Sequence, residues 1–144
     1  MNDQFARIRM IYGASGMEKL HKAKVAVFGV GGVGGYIVEA LARSGIGQMM
    51  LVDKDVVSVT NINRQIVALH STIGKSKVNV MKDRCLDINP GIIIEEKECF
   101  FLPENSDTFD FSGYSYIVDA VDTVSAKIEI IRKAKLEGVP VISC

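Results

Sequence analysis

The chain has 144 residues, and its 17 basic and 17 acidic side chains give a formal net charge of zero. This length suits one domain with a sizeable core, and the balanced charge predicts no general attraction to nucleic acid or membranes, although a local basic patch stays open. No apolar run reaches the roughly 20 residues that cross a bilayer, and no basic-then-apolar signal peptide opens the chain, so we expect a cytoplasmic protein without a membrane partner.

The predicted elements alternate between strands and helices along most of the chain. Residues 1–22 form a polar arm with a short helix at 17–22. Apolar runs predict strands at 25–28, 49–52, 92–96, 115–119 and 139–143. Spacings of three and four residues predict helices from residue 33 onward, at 74–88 and at 125–136. A polar loop with one helical turn covers 55–71, and no form is predicted for 102–112. This alternation is typical of an α/β fold with a doubly wound, mostly parallel sheet, and we assign 23–144 to one Rossmann-like domain.

The last six residues, 139–144, stop inside or at the tip of a predicted strand. A parallel strand that is buried on both faces ordinarily continues into a loop that leads to a helix. We therefore expect the 23–144 domain to be truncated at its carboxyl end, with a second half in the parent protein.

The most informative local pattern is strand, glycine turn, helix and second strand, at 24–55. Gly29 permits a tight turn, Gly31 lets the backbone approach a phosphate, and Gly34 lets the helix pack closely on the strand. Asp53 follows at a spacing that suits an acid accepting hydrogen bonds from ribose hydroxyls. The pattern predicts a nucleotide site at the amino terminus of the helix, where free N–H groups attract anions. A glycine-rich core turn without a ligand is the alternative.

A second polar cluster, Asn61-Ile62-Asn63-Arg64-Gln65, lies in the predicted loop. Arg64 can fork onto phosphate oxygens, while the neighbouring amides orient it or contact ribose and phosphate. The alternative is a solvated loop in which the asparagines cap a helical turn. The cluster alone favours neither interpretation.

Two further charged clusters lie close to predicted helices. Lys75 and Lys77 can reach an anion at the carboxyl edge of the sheet, and since cations oppose the dipole at a helix amino terminus, a bound anion is favoured over idle lysines. Asp119 and Asp122 follow a strand, where two carboxylates suit a Mg²⁺ ion beside phosphates. Asp122 can instead cap the next helix, and both roles are compatible.

The three cysteines, Cys85, Cys99 and Cys144, include no C-x-x-C pair. This argues against a zinc site or a disulfide framework within these residues. We interpret them as small apolar thiols in the core of a cytosolic protein. Cys144 is not proposed as a nucleophile, because its place at a strand end suits a core position or a backbone contact.

Together these residues resemble the ThiF/MoeB/HesA family of ATP-dependent activating enzymes, which are related to the ubiquitin-activating enzymes. The resemblance covers nearly the whole chain, and its most specific part is the N-x-N-R-Q motif about thirty residues past the glycine turn. It implies ATP and Mg²⁺ as cofactors. The implied ATP-binding residues are Gly29, Gly31, Gly32, Gly34, Asp53, Asp55, Asn61, Asn63 and Gln65. The implied catalytic residues are Arg64, Lys77, Asp122, which also lies near the metal, and Arg7, which enters the partner's site in a homodimer.

Within the family, segments 45–47, 64–69, 74–78 and 87–90 look most like the tRNA threonylcarbamoyladenosine dehydratase branch. That branch implies adenylation of the threonylcarbamoyl carboxylate on a tRNA adenosine, followed by ring closure with net loss of water. The alternative within the family is adenylation of the C-terminal glycine of a small ubiquitin-like sulfur-carrier protein, with any catalytic cysteine beyond residue 144. We expect the fragment alone to be inactive in transfer.

Two alternatives belong to other functional classes. An NAD-dependent oxidoreductase explains the segment 29–53 but gives no role to Arg64, Lys77 or Asp122. A nucleotide-sensing regulatory domain fits the chain length, and it also leaves those three charged residues without a role. We therefore expect an ATP-dependent adenylating enzyme.

Overall fold

Four helices and five strands alternate in the computed structural model, which describes residues 3–144. The strands are β1 (Lys24–Phe28), β2 (Gln48–Val52), β3 (Ile93–Lys97), β4 (Tyr116–Asp119) and β5 (Val141–Ser143). The helices are α1 (Ala6–Lys22), α2 (Gly34–Ser44), α3 (Lys77–Ile88) and α4 (Val124–Leu136), and short 3₁₀ helices cover Val59–Asn61, His70–Thr72 and Pro103–Thr108. Within residues 3–144, no helix combines the length and apolar character needed to cross a membrane.

The five strands are all parallel and are hydrogen-bonded in the order β3-β2-β1-β4-β5. Helices α2 and α3 pack on one face of the sheet, and α4 packs on the other. This arrangement confirms the predicted α/β fold with a doubly wound sheet. The chain runs from β1 to β2 on one side and returns to β4 on the other, so the carboxyl ends of β1 and β4 border the crevice where such sheets bind ligands.

Two hydrophobic cores form because successive side chains of a strand point to opposite faces. In β1, Val27 enters the core under α2 and α3, whereas Phe28 enters the core under α4. Phe28 packs there against Phe101, Phe109 and Phe111, with ring centroids 5.0, 5.7 and 5.5 Å away. Two of these rings come from 102–112, the segment for which the sequence predicted no form. Its aromatic side chains make it part of the core.

Helix α1 is much longer than the predicted helix at 17–22, which was wrong in its extent. Gly13, with a φ of 68°, kinks α1 into two segments. The second segment packs on the turn before β2, since a Cβ on Gly47 would lie 1.8 Å from the carbonyl oxygen of His21. No residue of α1 is fully buried. The sequence did carry a signal for the first segment, because Ile8, Ile11 and Tyr12 follow the three- and four-residue spacing of a helix.

Helix α3 begins at Lys77, later than the predicted start at 74, because Ser76 first pairs with Val56 in an isolated antiparallel bridge. Arg84 of α3 donates to the Glu39 carboxylate of α2. This guanidinium contact holds the pKa of Glu39 below its ordinary value. The ion pair helps to fix α3, and with it Lys77 at the first position of the helix, against α2.

Candidate nucleotide site

A cavity of about 700 Å³ opens at the carboxyl edge of the sheet. It is bordered by the turn after β1, the ends of β2 and β3, the first residue of α3 and the β4–α4 connection. Nine residues predicted from the sequence line it: Gly29, Gly31, Gly32, Asp53, Asp55, Arg64, Gln65, Lys77 and Asp122. In the described part of the chain, six predicted residues are not among its lining: Gly34, Asn61, Asn63, Arg7, Lys75 and Asp119.

Gly29 and Gly34 are required by contacts inside the protein. Gly29 has a φ of 89°, and a Cβ there would lie 2.5 Å from the carbonyl oxygen of Ala120. A Cβ on Gly34 would lie 1.7 Å from the carbonyl oxygen of Gly29. Neither distance is possible for real atoms. The two glycines therefore let α2 begin directly against the end of β1, as the sequence predicted.

Gly31 and Gly32 are not required by internal packing. Their φ angles are not positive, and a Cβ on either residue would first meet Gln65 at 3.6 Å or Arg64 at 3.9 Å. These distances are ordinary van der Waals contacts. The missing side chains instead leave the backbone of the turn open towards the cavity, which is the space that a ligand needs for close approach.

The carboxylate of Asp53 holds two backbone N–H groups. Its Oδ2 accepts from Val30 at 2.7 Å, and its Oδ1 accepts from Asp55 at 2.8 Å. Asp53 thus joins the glycine turn after β1 to the end of β2, a structural role that the sequence did not predict. Each carboxylate oxygen has a second lone pair, so the arrangement is compatible with the predicted ribose contact.

Arg64 is presented to the cavity by its own loop. Asn61 accepts a hydrogen bond from the backbone N–H of Ser58, which caps the amino terminus of the 3₁₀ helix Val59–Asn61. Arg64 follows shortly after this helix. The cap is the predicted alternative in which an asparagine caps a helical turn. Asn63 accepts from the Arg64 guanidinium at 3.0 Å, as does the carbonyl oxygen of Thr60 at 3.1 Å. One asparagine therefore shapes the loop and the other orients the arginine.

Gln65 is a buried residue whose amide oxygen has no hydrogen-bond partner within residues 3–144. The side chain stands beside Gly31 and lines the cavity. A buried polar atom without a partner costs about 1–3 kcal/mol. The amide NH₂ of the same side chain is a donor and suits a phosphate oxygen.

Lys77 places a buried cation at the cavity. Its side chain is 6% exposed, and its Nζ lies 3.3 Å from an oxygen of Asp55, whose own side chain is 56% exposed. An ammonium carries three N–H donors, and one largely solvated carboxylate satisfies them poorly. An anion in the cavity would complete the set. Lys75, the other predicted lysine, is exposed and does not line the cavity.

The predicted pair of metal-binding acids is separated by the structure. Asp119 is fully buried, and its carboxylate already accepts hydrogen bonds from Ser143, Lys127 and the backbone N–H of Val121. It is therefore not available to a metal ion. Asp122 is exposed and lines the cavity, and the cap of α4 is Thr123 rather than Asp122. One acid of the two remains as a candidate ligand.

Residues 2–144 match the model of the ThiF family. The chain belongs to this family. It is 45% identical over 143 residues to the tRNA threonylcarbamoyladenosine dehydratase of Bacillus subtilis. The aligned region covers 99% of this chain and 56% of the relative. It is 36% identical over 128 residues to the molybdopterin-synthase adenylyltransferase of Salmonella typhimurium. That aligned region covers 89% of this chain and 51% of the relative.

Among solved structures, this ThiF-family chain is similar to the E. coli tRNA N6-threonylcarbamoyladenosine dehydratase TcdA in complex with ATP. The TM-score is 0.94 at 38% identity, over 97% of this chain and 58% of that chain. The family resemblance inferred from the sequence is confirmed. The chain spans little more than half the length of these relatives.

One wall of the cavity in this ThiF-family chain was not predicted from the sequence. Cys99, Phe100, Phe101 and Leu102 line it after the end of β3. Asn105 fixes this segment, since its amide donates to the carbonyl oxygen of Phe100 and accepts from the N–H of Leu102. The available signal was the run of apolar residues directly after β3, at the carboxyl edge where ligands bind.

The interpretation of the three cysteines as core thiols was wrong for Cys144, which is exposed. Cys85 lies on the buried face of α3, and burial raises the pKa of its thiol to about 12. Cys99 is half-buried and packs against the core under α4, and both Cys99 and Cys144 line the cavity. The physical reason for the exposure of Cys144 is its position directly after the edge strand β5.

The two kinds of glycine predict different effects on stability. Gly34→Ala forces a methyl group into the Gly29 carbonyl, and we expect it to lower the free energy of unfolding by about 3 kcal/mol or more. Gly31→Ala should change it by less than about 1 kcal/mol, because the methyl group meets no close atom. Urea unfolding measures both values. Gly91→Ala is the matched control, since its Cβ would meet the nearest atom at 3.7 Å; equal losses for Gly31→Ala and Gly34→Ala would contradict the assignment.

Proposed function

We propose that this chain binds ATP and forms the nucleotide half of an enzyme that adenylates a carboxylate. The observation that carries the proposal is the convergence of Arg64 and the buried Lys77 on one cavity, beside a glycine turn that is open at Gly31. An oxidoreductase or a sensor gives no role to these two cations. The names of the relatives, a dehydratase and an adenylyltransferase that share this fold, support the same reaction class.

In the proposed complex, ATP lies along the carboxyl edge of the sheet. The phosphates lie at the glycine turn and the amino terminus of α2, where free N–H groups and the helix dipole favour anions. The ribose lies near Asp53, at the end of β2. The base then faces the apolar wall at 99–102, because this wall follows β3, the next strand along the sheet.

Mg²⁺ is the second proposed cofactor, and the cavity offers it one carboxylate of the two that the sequence predicted. Asp122 supplies one exposed carboxylate at the cavity, while Asp119 is taken up by Lys127 and Ser143. Magnesium commonly uses one or two carboxylates and completes its shell with water and phosphate oxygens. We propose Asp122 as the protein ligand; the ion would supply neutralisation of phosphate charge.

The proposed chemistry needs positioning and electrostatics rather than a covalent nucleophile. An oxygen of the substrate carboxylate attacks the α-phosphorus of ATP, and the bond to the pyrophosphate oxygen breaks. Arg64, already oriented by Asn63, and Lys77 stabilise the negative charge that develops on the phosphates. Lys77 is well suited because its burial excludes water, which strengthens its electrostatic interactions.

For the carboxylate, we propose the threonylcarbamoyl group of a modified tRNA adenosine in a cytoplasmic enzyme. The support is the 45% identity to the dehydratase of B. subtilis. The amide nitrogen or oxygen of the same substituent would then attack the activated carboxyl carbon, and the bond to AMP would break. The ring closes and AMP leaves, so the two steps together remove one water from the substrate. The C-terminal glycine of a sulfur-carrier protein is the second candidate, favoured by the 36% identity to the adenylyltransferase.

We further propose a homodimer in which Arg7 completes the partner's site. Met10, Ile11 and Tyr12 on the first segment of α1 are 85%, 73% and 56% exposed. Such an apolar group on a surface is typical of a protein contact. Arg7 lies one turn earlier on the same face as Met10 and Ile11, so a copy that covers this face also meets Arg7.

The ATP assignment predicts the effect of removing each cation. Arg64→Ala and Lys77→Ala should each weaken ATP binding by about 1.5–3 kcal/mol, because each loses a charge-assisted hydrogen bond to phosphate. Isothermal titration calorimetry with ATP and Mg²⁺ measures this loss. Lys75→Ala is the matched control, since that lysine is exposed two residues away, and it should bind ATP like the native chain. Unchanged affinity for ATP in both test variants would contradict the proposal that Arg64 and Lys77 bind its phosphates.

The dimer predicts complementation between two defective chains. Arg7→Ala and Lys77→Ala chains should each bind ATP weakly as homodimers. A mixed dimer carries one site with neither change, and we expect about half of the native binding stoichiometry to return. Calorimetry on a differently tagged, purified heterodimer measures it. Weak binding by a proven heterodimer would refute the contribution of Arg7 across the interface.

The length comparison predicts a limit on catalysis. The 144-residue chain should bind ATP yet catalyse little ATP–pyrophosphate exchange with a threonylcarbamoyl-modified tRNA or a sulfur-carrier protein. The carboxylate must be held in line with the α-phosphorus, and a misplacement of about 1 Å costs on the order of a hundredfold in rate. The B. subtilis dehydratase serves as the positive control. Robust exchange by this chain would show that its 144 residues suffice for adenylation.

A further inference from the structure

Lys127 brings a third cationic side chain to the cavity, on the side opposite to Arg64 and Lys77. It lies in the first turn of α4 and lines the cavity beside Asp122 and Thr123. Arg64 and Lys77 come from the segments that follow β2, whereas Lys127 follows β4. Because β1 separates β2 from β4 in the sheet, a cationic side chain lies on each side of the glycine turn.

Two acceptors from the ends of β4 and β5 fix the position of the Lys127 ammonium. Its Nζ donates to Asp119 at 3.2 Å and to the carbonyl oxygen of Cys144 at 2.6 Å. Asp119 is itself fully buried and accepts a hydrogen bond from Ser143 at 2.6 Å. The end of β4, the end of β5 and the first turn of α4 therefore meet at one ion pair.

A count of donors leaves one N–H of Lys127 for a ligand. An ammonium has three N–H groups, and two are used by Asp119 and Cys144. The side chain is 24% exposed, and its exposed part faces the cavity that it lines. A donor that is fixed before the ligand arrives loses little entropy on binding, which suits a group that recognises one oxygen atom.

The position of Lys127 shows which part of the ligand it can meet. The proposed nucleotide extends from the glycine turn over β2 towards the wall after β3. The carboxylate that attacks the α-phosphorus must approach from elsewhere, and the side of β4 and β5 is the side that the nucleotide leaves open. Two anions meet in this reaction, so a cation on the carboxylate side reduces their repulsion.

We propose that Lys127 binds the carboxyl group of the acceptor, with Asp119 and Ser143 as its positioning residues. This inference rests on the proposed function. One carboxylate oxygen attacks the α-phosphorus and pyrophosphate leaves, while the other oxygen accepts the N–H of Lys127 and becomes the carbonyl oxygen of the acyl-adenylate. Lys127 stays protonated throughout, and no proton transfer is required.

The test compares ligands with and without the acyl part. The probes are ATP, AMP and an N-acetylglycyl sulfamoyl adenosine, a stable mimic of an acyl-adenylate. Lys127→Met should bind the acyl probe roughly 10-fold to 100-fold more weakly, as expected for a lost charged hydrogen bond, while ATP and AMP change by less than about twofold. Lys127→Arg should keep most of the affinity. Lys135→Met, an exposed lysine on the same helix, is the matched control.

A second variant separates loss of binding from loss of stability. Lys127→Met leaves the buried Asp119 carboxylate without its cation, which can destabilise the protein. The double variant Asp119→Asn with Lys127→Met keeps the pair uncharged, and it should show the same selective loss for the acyl probe. Ser143→Ala should show a smaller selective loss, because it loosens only the support of Asp119.

The outcomes separate this inference from the proposed function. A native chain that binds neither ATP nor AMP would overturn the proposed function and this inference with it. A native chain that binds ATP, with Lys127→Met unchanged for the acyl probe, would overturn only the role of Lys127. Equal weakening of AMP and the acyl probe would also overturn it, since Lys127 would then serve the nucleotide or the fold alone.

Discussion

The contact between Gly29 and Gly34 is the constraint on which the site depends. The backbone of α2 starts so close to the carbonyl oxygen of Gly29 that a Cβ on Gly34 would lie 1.7 Å from it. The amino terminus of α2 is thereby held against the carboxyl end of β1, at the centre of the five-stranded sheet. Asp53 then ties the turn to β2 through the N–H of Val30. Every other wall of the cavity is built around this junction.

The polar groups around the junction have incomplete sets of hydrogen-bond partners. Lys77 is buried with one solvated partner, the amide oxygen of Gln65 has no partner within residues 3–144, and Gly31 leaves its backbone open. Burial of such groups costs free energy unless a partner is supplied. The rest of the fold, with its two apolar cores, provides the stability that offsets this cost. A polyanion such as a nucleotide would pair with Lys77 and could approach the open backbone at Gly31.

The sheet order divides the cavity into two sides with different chemistry. Residues that follow β1, β2 and β3 provide the glycine turn, Asp53, the two cations Arg64 and Lys77, and the apolar wall at 99–102. Residues that follow β4 and β5 provide Asp122 and the ion pair of Lys127 with Asp119. Relatives with different acceptors share the first side as a common nucleotide scaffold in our proposal. Differences in acceptor would then lie on the second side and in sequence outside this chain.

The sequence by itself determined the parallel α/β fold and the glycine turn, because these signals are local: a strand, a turn and a helix follow one another within about thirty residues. Together with the charged clusters and the family resemblance, it also named nine of the residues that line the cavity. Only the tertiary structure decided the rest. It joined the carboxylate of Asp53 to the N–H of Val30, and it paired Asp119 with Lys127 and Ser143 rather than with a metal. These contacts join residues of distant elements, and a side chain chooses among such partners only when packing brings them within hydrogen-bond distance.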